Sequence, residues 1–154
     1  LFKFDRDRMM AGWTIRRAAE HDAVPLKKCI DAAYAPYRKL IRDLPPVSEE
    51  VADDIKSNLV WVAELDYTVV GGLILVLNNE HAILANIAVD PDCKGMGIGR
   101  GLIDQAEAHC RRLKKAELRL STHVDMPENV RLYKYLGWEQ TERSANKVHM
   151  TKLL

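Results

Sequence analysis

Residues 90–101 read Asp-Pro-Asp-Cys-Lys-Gly-Met-Gly-Ile-Gly-Arg-Gly, a glycine-alternating loop between an apolar strand-like run and an amphipathic helix-like run. Gly95, Gly97 and Gly99 carry no Cβ, so the backbone can turn sharply and aim successive N–H groups at one anion. A helix starting there adds the positive end of its dipole, and Lys94 and Arg100 add charge. The implied chemistry is phosphate binding. The ligand-free alternative is a tightened strand-to-helix turn, for which one or two glycines suffice. A dinucleotide G-x-G-x-x-G pattern fails, because Arg100 and Leu102 stand where glycine is required from Gly95 or Gly97. A P-loop fails too, since no glycine here precedes Lys-Ser or Lys-Thr.

The elements around this loop can be read from periodicity. Residues 22–34 space Val24, Leu26, Ile30, Ala33 and Tyr34 as one helical face, with Pro25 in the first turn. Pro36, Pro45 and Pro46 are expected to interrupt the chain beyond Tyr34, and Ser48 with Glu49 and Glu50 to open a short second helix. Residues 60–65 and 68–77 form a hairpin around Asp66-Tyr67, with Gly71-Gly72 at a bend or bulge. Residues 82–89 are apolar except for Asn86, as in a central strand buried on both faces. Residues 100–114 form a helix burying Leu102, Ile103, Ala106, Cys110 and Leu113, with Asp104, Glu107, Arg111 and Arg112 largely elsewhere. Then come a strand at 116–122, a helix at 128–136 ended by Gly137, and closing strands at 138–143 and 147–154. This order predicts an α/β fold, a mixed sheet flanked by helices, with the loop at the carboxyl end of a central strand where ligands bind.

Composition narrows the classes. The 154 residues, 47% of them hydrophobic, suit one domain over 11–154. Residues 1–10 read as a cloning remnant or disordered leader before a start at Met9 or Met10. A net charge of +1 gives no global footprint for nucleic acid. The longest apolar run, residues 69–77, is far short of the roughly 20 residues that cross a membrane. Cys29, Cys93 and Cys110 lack paired spacing, which favours a reducing compartment, the cytoplasm by default. His109 beside Cys110 is not ligand spacing, so no metal is expected. Base rates alone favour a homodimer.

Three segments carry a resemblance: Asn86-Ile-Ala-Val-Asp-Pro, Lys94-Gly-Met-Gly-Ile-Gly-Arg, and Glu128-Asn-Val-Arg-Leu-Tyr-Lys-Tyr-Leu-Gly-Trp138. Together with the element order they resemble the GNAT family of acetyl-CoA-dependent N-acetyltransferases, from about Thr14 to the C-terminus. The resemblance implies a mostly antiparallel sheet with splayed central strands. It assigns the CoA pyrophosphate to Lys94, Gly95, Met96, Gly97, Ile98, Gly99 and Arg100. The pantetheine arm falls to the backbone of Ile87 and Val89, and a pantetheine or loop contact to Asn129. Lys94 departs from the family's usual Gln or Arg, keeping charge but losing a bidentate fork.

By the same resemblance Tyr133 protonates the departing CoA thiolate, and core packing is its structural alternative. Tyr135 is read as a packing residue. The family often places a Glu or His base where this chain has Ile83, Ala85 and Ser121. His123 is the leading substitute, Glu64, Glu80 and His81 are weaker ones, and a water chain would need none. No cysteine is placed for an acyl-enzyme, so the expectation is direct attack by a primary amine, on a small molecule or a protein, in a ternary complex. Tyr34, Tyr37, Trp61 and Trp138 are either acceptor-pocket walls or core. The competing functions are a silent acyl-CoA-binding sensor and a nucleotide-binding regulator.

Overall fold

The β-branched and apolar runs of residues 59–89 become three consecutive antiparallel strands, and the remaining elements pack on or beside them. A computed structural model describes residues 12–46 and 48–154, so the expectation for residues 1–10 lies outside them. The chain order is β1 (Trp13–Arg17), a 3-10 turn (Glu20–Asp22), α1 (Ala23–Leu40), α2 (Val51–Ser57), β2 (Leu59–Leu65), β3 (Thr68–Leu77) and β4 (His81–Val89). A second 3-10 turn (Pro91–Cys93) leads to α3 (Ile98–Arg112), β5 (Glu117–His123), α4 (Pro127–Tyr135), β6 (Glu139–Ser144) and β7 (Lys147–Leu153). The seven strands form one sheet in the order β1-β2-β3-β4-β5-β7-β6. Among the described residues, only the β4–β5 pairing is parallel.

The expected fold class holds: a mixed α/β sheet between helices, with its central strands splayed. Two apolar clusters fill the two sides. Leu26, Ile30 and Val51 from α1 and α2 meet Val60, Val62 and Ile74 on one face. Ile98, Leu102, Ile103 and Ala106 from α3 meet Trp61, Leu73, Leu75 and Leu118 on the other. The hairpin turns at Asp66 and Tyr67, whose φ angles of 50° and 63° are the left-handed pair of a two-residue turn. The register shift opposite Ala63 and Glu64 falls at Val70, beside the expected Gly71-Gly72 bend.

Four expectations need correction. A first strand, β1, precedes the helices, and its short Trp-Thr-Ile-Arg-Arg segment carries too few residues to show a period. Helix α1 runs through Pro36 to Leu40: proline removes one N–H, but the helix closes beyond it with the Ile41 N–H on Tyr37 O at 2.7 Å and Ile41 itself buried. Ser48 does not cap α2; its hydroxyl donates to Asp31 on α1, and Glu50 is the capping position. Glu107, expected largely off the apolar face, is 6% exposed, where Lys152 of β7 donates to it at 2.8 Å and to Leu136 O at 2.9 Å.

The first strand is fixed by charge. Arg16 forks onto Asp22 at 2.7 and 2.8 Å and also reaches Glu64 on β2, while Asp22 accepts the Ala19 N–H at 2.7 Å. Asp22 is 2% exposed, and the Arg16 guanidinium holds its carboxyl below the usual carboxylate range. Its folded value is depressed, so its contribution is full above the unfolded value near 4 and fades as pH falls toward the folded one. Asp22→Asn is expected to cost about 2 kcal/mol in urea unfolding at pH 7. The wild-type advantage should shrink below about pH 4; equal stabilities at pH 7 would contradict this role.

Candidate functional site

The site starts at a fork. Strands β4 and β5 pair only over His81–Glu117, Ala82–Leu118 and Ile83–Arg119, then part. On its other edge β4 carries a register shift, with Ile74 opposite Asn86 and Leu75 opposite Leu84, so Ala85 is an extra residue. One inserted residue reverses which side chains face which layer. Ala82 and Leu84 therefore pack in the α3 cluster, whereas Asn86 points to α1, where the Tyr34 hydroxyl lies 3.4 Å from its Oδ1. Ile87 and Val89 rejoin the α3 side. Beyond Ile83 the β5-facing edge of β4 has no strand beside it among the described residues.

A slot of about 440 Å³ opens along that edge. Ile87, Ala88 and Val89 of β4 form one wall, Tyr34 and Tyr37 of α1 another, and Asn129 and Tyr133 of α4 a third. Lys94, Gly99 and Arg100 lie at one end. Tyr133 is 6% exposed and its ring meets Trp138 edge-on at 5.6 Å. Burial raises its phenol well above the usual value, so the hydroxyl stays protonated throughout the neutral range. Tyr37 is pushed up to about 12, first by burial and then by the neighbouring Glu128 carboxylate. Asn129 donates to Thr122 Oγ1 at 3.3 Å, which ties α4 to the end of β5.

The glycine loop has the geometry of an anion cradle. Gly97 is the capping residue of α3, with φ 81° and ψ 9°, a left-handed conformation that strains any residue with a Cβ. Gly95 has φ 80°. The Gly101 N–H bonds Gly97 O at 2.9 Å, so the amides of Ile98, Gly99 and Arg100 before it are the first donors of the helix, without a backbone partner among the described residues. The loop is held by Trp13, whose Nε1 donates to Met96 O at 2.8 Å. The same indole packs so closely on Gly101 that a Cβ there would come within 2.7 Å of it. Ile98 is a core residue, 1% exposed.

Of the expected site residues, Ile87, Val89, Lys94, Gly99, Arg100, Asn129 and Tyr133 line the slot, and Gly95, Met96, Gly97 and Ile98 complete its loop. His123 is not among the lining residues. Its Nε2 donates to Asp43 at 2.7 Å, and its Nδ1 accepts the Asp125 N–H at 3.0 Å. With Asn146 donating to the second Asp43 oxygen at 2.7 Å, it straps the segment after α1 onto β5 and the β6–β7 turn. Tyr34 and Tyr37 line the slot, but Trp61 and Trp138 are core, 3% and 2% exposed. Tyr135, expected to pack, is 82% exposed, because it sits about 200° around the helix from buried Tyr133. Trp13 carries no sequence signal of its role, because its strand is too short to show a period and the loop it clamps lies 83 positions away.

A mixed sheet forked between two parallel strands, with an anion loop at the fork and a tyrosine beside it, defines the acyl-CoA N-acyltransferase type of fold. Residues 27–138 match the acetyltransferase (GNAT) family, and the chain belongs to it. It is 33% identical over 73 residues to an uncharacterized N-acetyltransferase of Methanocaldococcus jannaschii, a match that covers 47% of this chain and 32% of the relative. The chain thus spans about a third of that relative's length. Among solved structures, it resembles the PaiA N-acetyltransferase of Thermoplasma acidophilum in complex with coenzyme A, with TM-score 0.80, 21% identity, and coverage of 92% and 99% of the two chains. A GNAT family acetyltransferase of Elizabethkingia anophelis with acetyl-CoA bound matches with TM-score 0.70 and 18% identity over 93% and 99%.

The clamp on the loop is directly testable. Trp13→Phe keeps the ring and loses the bond to Met96 O, with an expected stability loss of about 1 kcal/mol. Amide exchange at residues 98–100 should quicken more than in the β2–β3 hairpin; unchanged exchange there would show that Trp13 does not hold the loop.

Proposed function

We propose that this chain is an N-acetyltransferase that moves the acetyl group of acetyl-CoA to a primary amine. The observation that carries this reading is the single slot joining the unpaired amides of α3, the open edge of β4 and the buried Tyr133 hydroxyl. Each matches one part of acetyl-CoA. The pyrophosphate suits the Gly95–Gly99 loop amides with Lys94 and Arg100. The amides and carbonyls of the pantetheine arm suit the edge of β4 at Ile87 and Val89, in the manner of an added strand. Asn129 stands beside the arm, and the sulfur end points to Tyr133.

The chemistry follows from position. The acceptor nitrogen attacks the thioester carbon; the C–N bond forms as the C–S bond breaks. Tyr133 donates its proton to the departing sulfur, which leaves as the neutral thiol. All three cysteines are buried, and burial raises the thiol of each, which supports direct transfer over a cysteine acyl-enzyme. A silent acyl-CoA sensor would keep the slot without turnover.

Two measurements test this. Tyr133→Phe keeps the edge contact with Trp138 and should bind acetyl-CoA like the wild type while releasing CoA at least about 100-fold more slowly with an amine panel. Undiminished release would remove Tyr133 from the reaction, and no release by the wild type with any amine would favour the sensor. Gly97→Ala should weaken acetyl-CoA binding by roughly tenfold in calorimetry, the equivalent of about 1–2 kcal/mol of left-handed strain.

A further inference from the structure

On the α1–α2 face of the sheet, beside the half those helices cover, a second, open cleft of about 750 Å³ lies over the first residues of β4 and over β5, β7 and β6. Helices α1 and α2 pack over β2, β3 and β4, so they do not cover its floor. Ser121 on β5 and His149 on β7 are register partners, and Ser121 Oγ lies 2.7 Å from His149 Nδ1. His149 Nε2 lies 2.7 Å from Ser144 Oγ on β6. Ser121 is exposed and stands two residues past Arg119, the last β5 residue paired with β4, so it sits at the fork itself. Across the fork β4 offers Ile83 and the bulged Ala85, which have no group to take a proton.

From this geometry we infer that Ser121 and His149 form the proton relay that deprotonates the acceptor amine. The inference rests on the acetyl-transfer reading above. In the tautomer whose Nε2–H donates to Ser144 Oγ, His149 Nδ1 is left to accept the Ser121 hydroxyl proton. The acceptor arrives as an ammonium ion. It gives one proton to Ser121 Oγ as Ser121 passes its own to His149 Nδ1. The neutral nitrogen then attacks the thioester; its second proton reaches the sulfur by way of Tyr133, and the imidazolium returns its proton to solvent. The net products are the amide, the free thiol and one proton. Other groups on the cleft are less suited. Glu117 is paired with Arg119, and His81 is bonded to Asn78 at 3.0 Å at the closed end of the fork. Glu139 and Glu142 add negative charge to the rim, which favours a cationic acceptor.

The test is steady-state CoA release by wild type, Ser121→Ala, His149→Ala and the double variant, with calorimetric acetyl-CoA binding as the control on folding. Each single variant should lose about 100-fold or more in kcat with an alkylamine, with acetyl-CoA affinity unchanged and the double variant no worse than the singles. An acceptor amine of low basicity, already neutral at pH 7, should recover most of the lost rate, which a merely structural role would not produce. Wild-type turnover with His149→Ala within twofold of it overturns the relay alone. A loss equal for strongly and weakly basic amines also overturns it. A wild type silent on every amine overturns the acetyl-transfer reading and the relay with it.

Discussion

The structure turns on one inserted residue. Ala85 bulges from β4 against β3, and the strand past it presents the opposite set of side chains to each layer. Up to Ile83 the strand is an ordinary interior member of the sheet, hydrogen-bonded on both edges; beyond it, one edge has no strand beside it among the described residues. An open edge in the middle of a sheet sacrifices backbone hydrogen bonds, and it survives only if water or a ligand satisfies those groups and the two half-sheets cannot close. The antiparallel β2–β3–β4 set on one side and β5–β7–β6 on the other are each paired from end to end apart from single-residue bulges, so each half-sheet holds together without the other.

What prevents closure is also what surrounds the slot. Helix α1 lies over β3 and β4, and its Tyr34 reaches Asn86 at the place the bulge delivers it. The segment after α1 is held across the gap to the other half-sheet by Asp43, which receives bonds from His123 and Asn146. At the loop end, β1 supplies Trp13, so the outermost strand of the first half-sheet fixes the anion cradle at the centre. Arg16 and Asp22 in turn anchor β1 and the start of α1 through one partly buried charge pair. The positions of the loop, the slot walls and the strap therefore descend from a few long-range polar contacts laid over the two apolar clusters.

This division explains how much was legible in the sequence. The strands 59–89, the loop and helix α3 were readable because apolar period and glycine spacing are local properties, and Tyr133 and Asn129 came from a motif that spaces them. Trp13, His149 and the Ala85 bulge were not, because each matters through a partner on another strand. Nothing around Ala85 distinguishes a bulged residue from a paired one, and His149 gains meaning only when β5 and β7 bring Ser121 beside it. His123 drew attention as the histidine nearest the tyrosine helix in sequence; folding puts its ring between Asp43 and the Asp125 amide instead. Pro36 works in the other direction: a local rule for helix breaking gives way where the chain beyond it ends on the buried Ile41.

The electrostatics of Tyr133 constrain the rest of the chemistry. A phenol raised by burial cannot take a proton from the acceptor, because at neutral pH it already carries one. It can stabilise the developing thiolate only while a proton reaches it from the attacking nitrogen in the same step, since a standing phenolate in that apolar slot would be costly. In the proposed transfer Tyr133 would therefore handle the second proton of the amine and could not remove the first. The first would have to leave elsewhere, because the slot's own wall of Ile87, Ala88 and Val89 offers no basic side chain. The fork is the opening between the two faces of the sheet, and Ser121, backed by His149, stands at it. Under the proposed transfer, separating β4 from β5 would do two things at once: expose a backbone edge to one substrate and give the proton of the other a way out through Ser121.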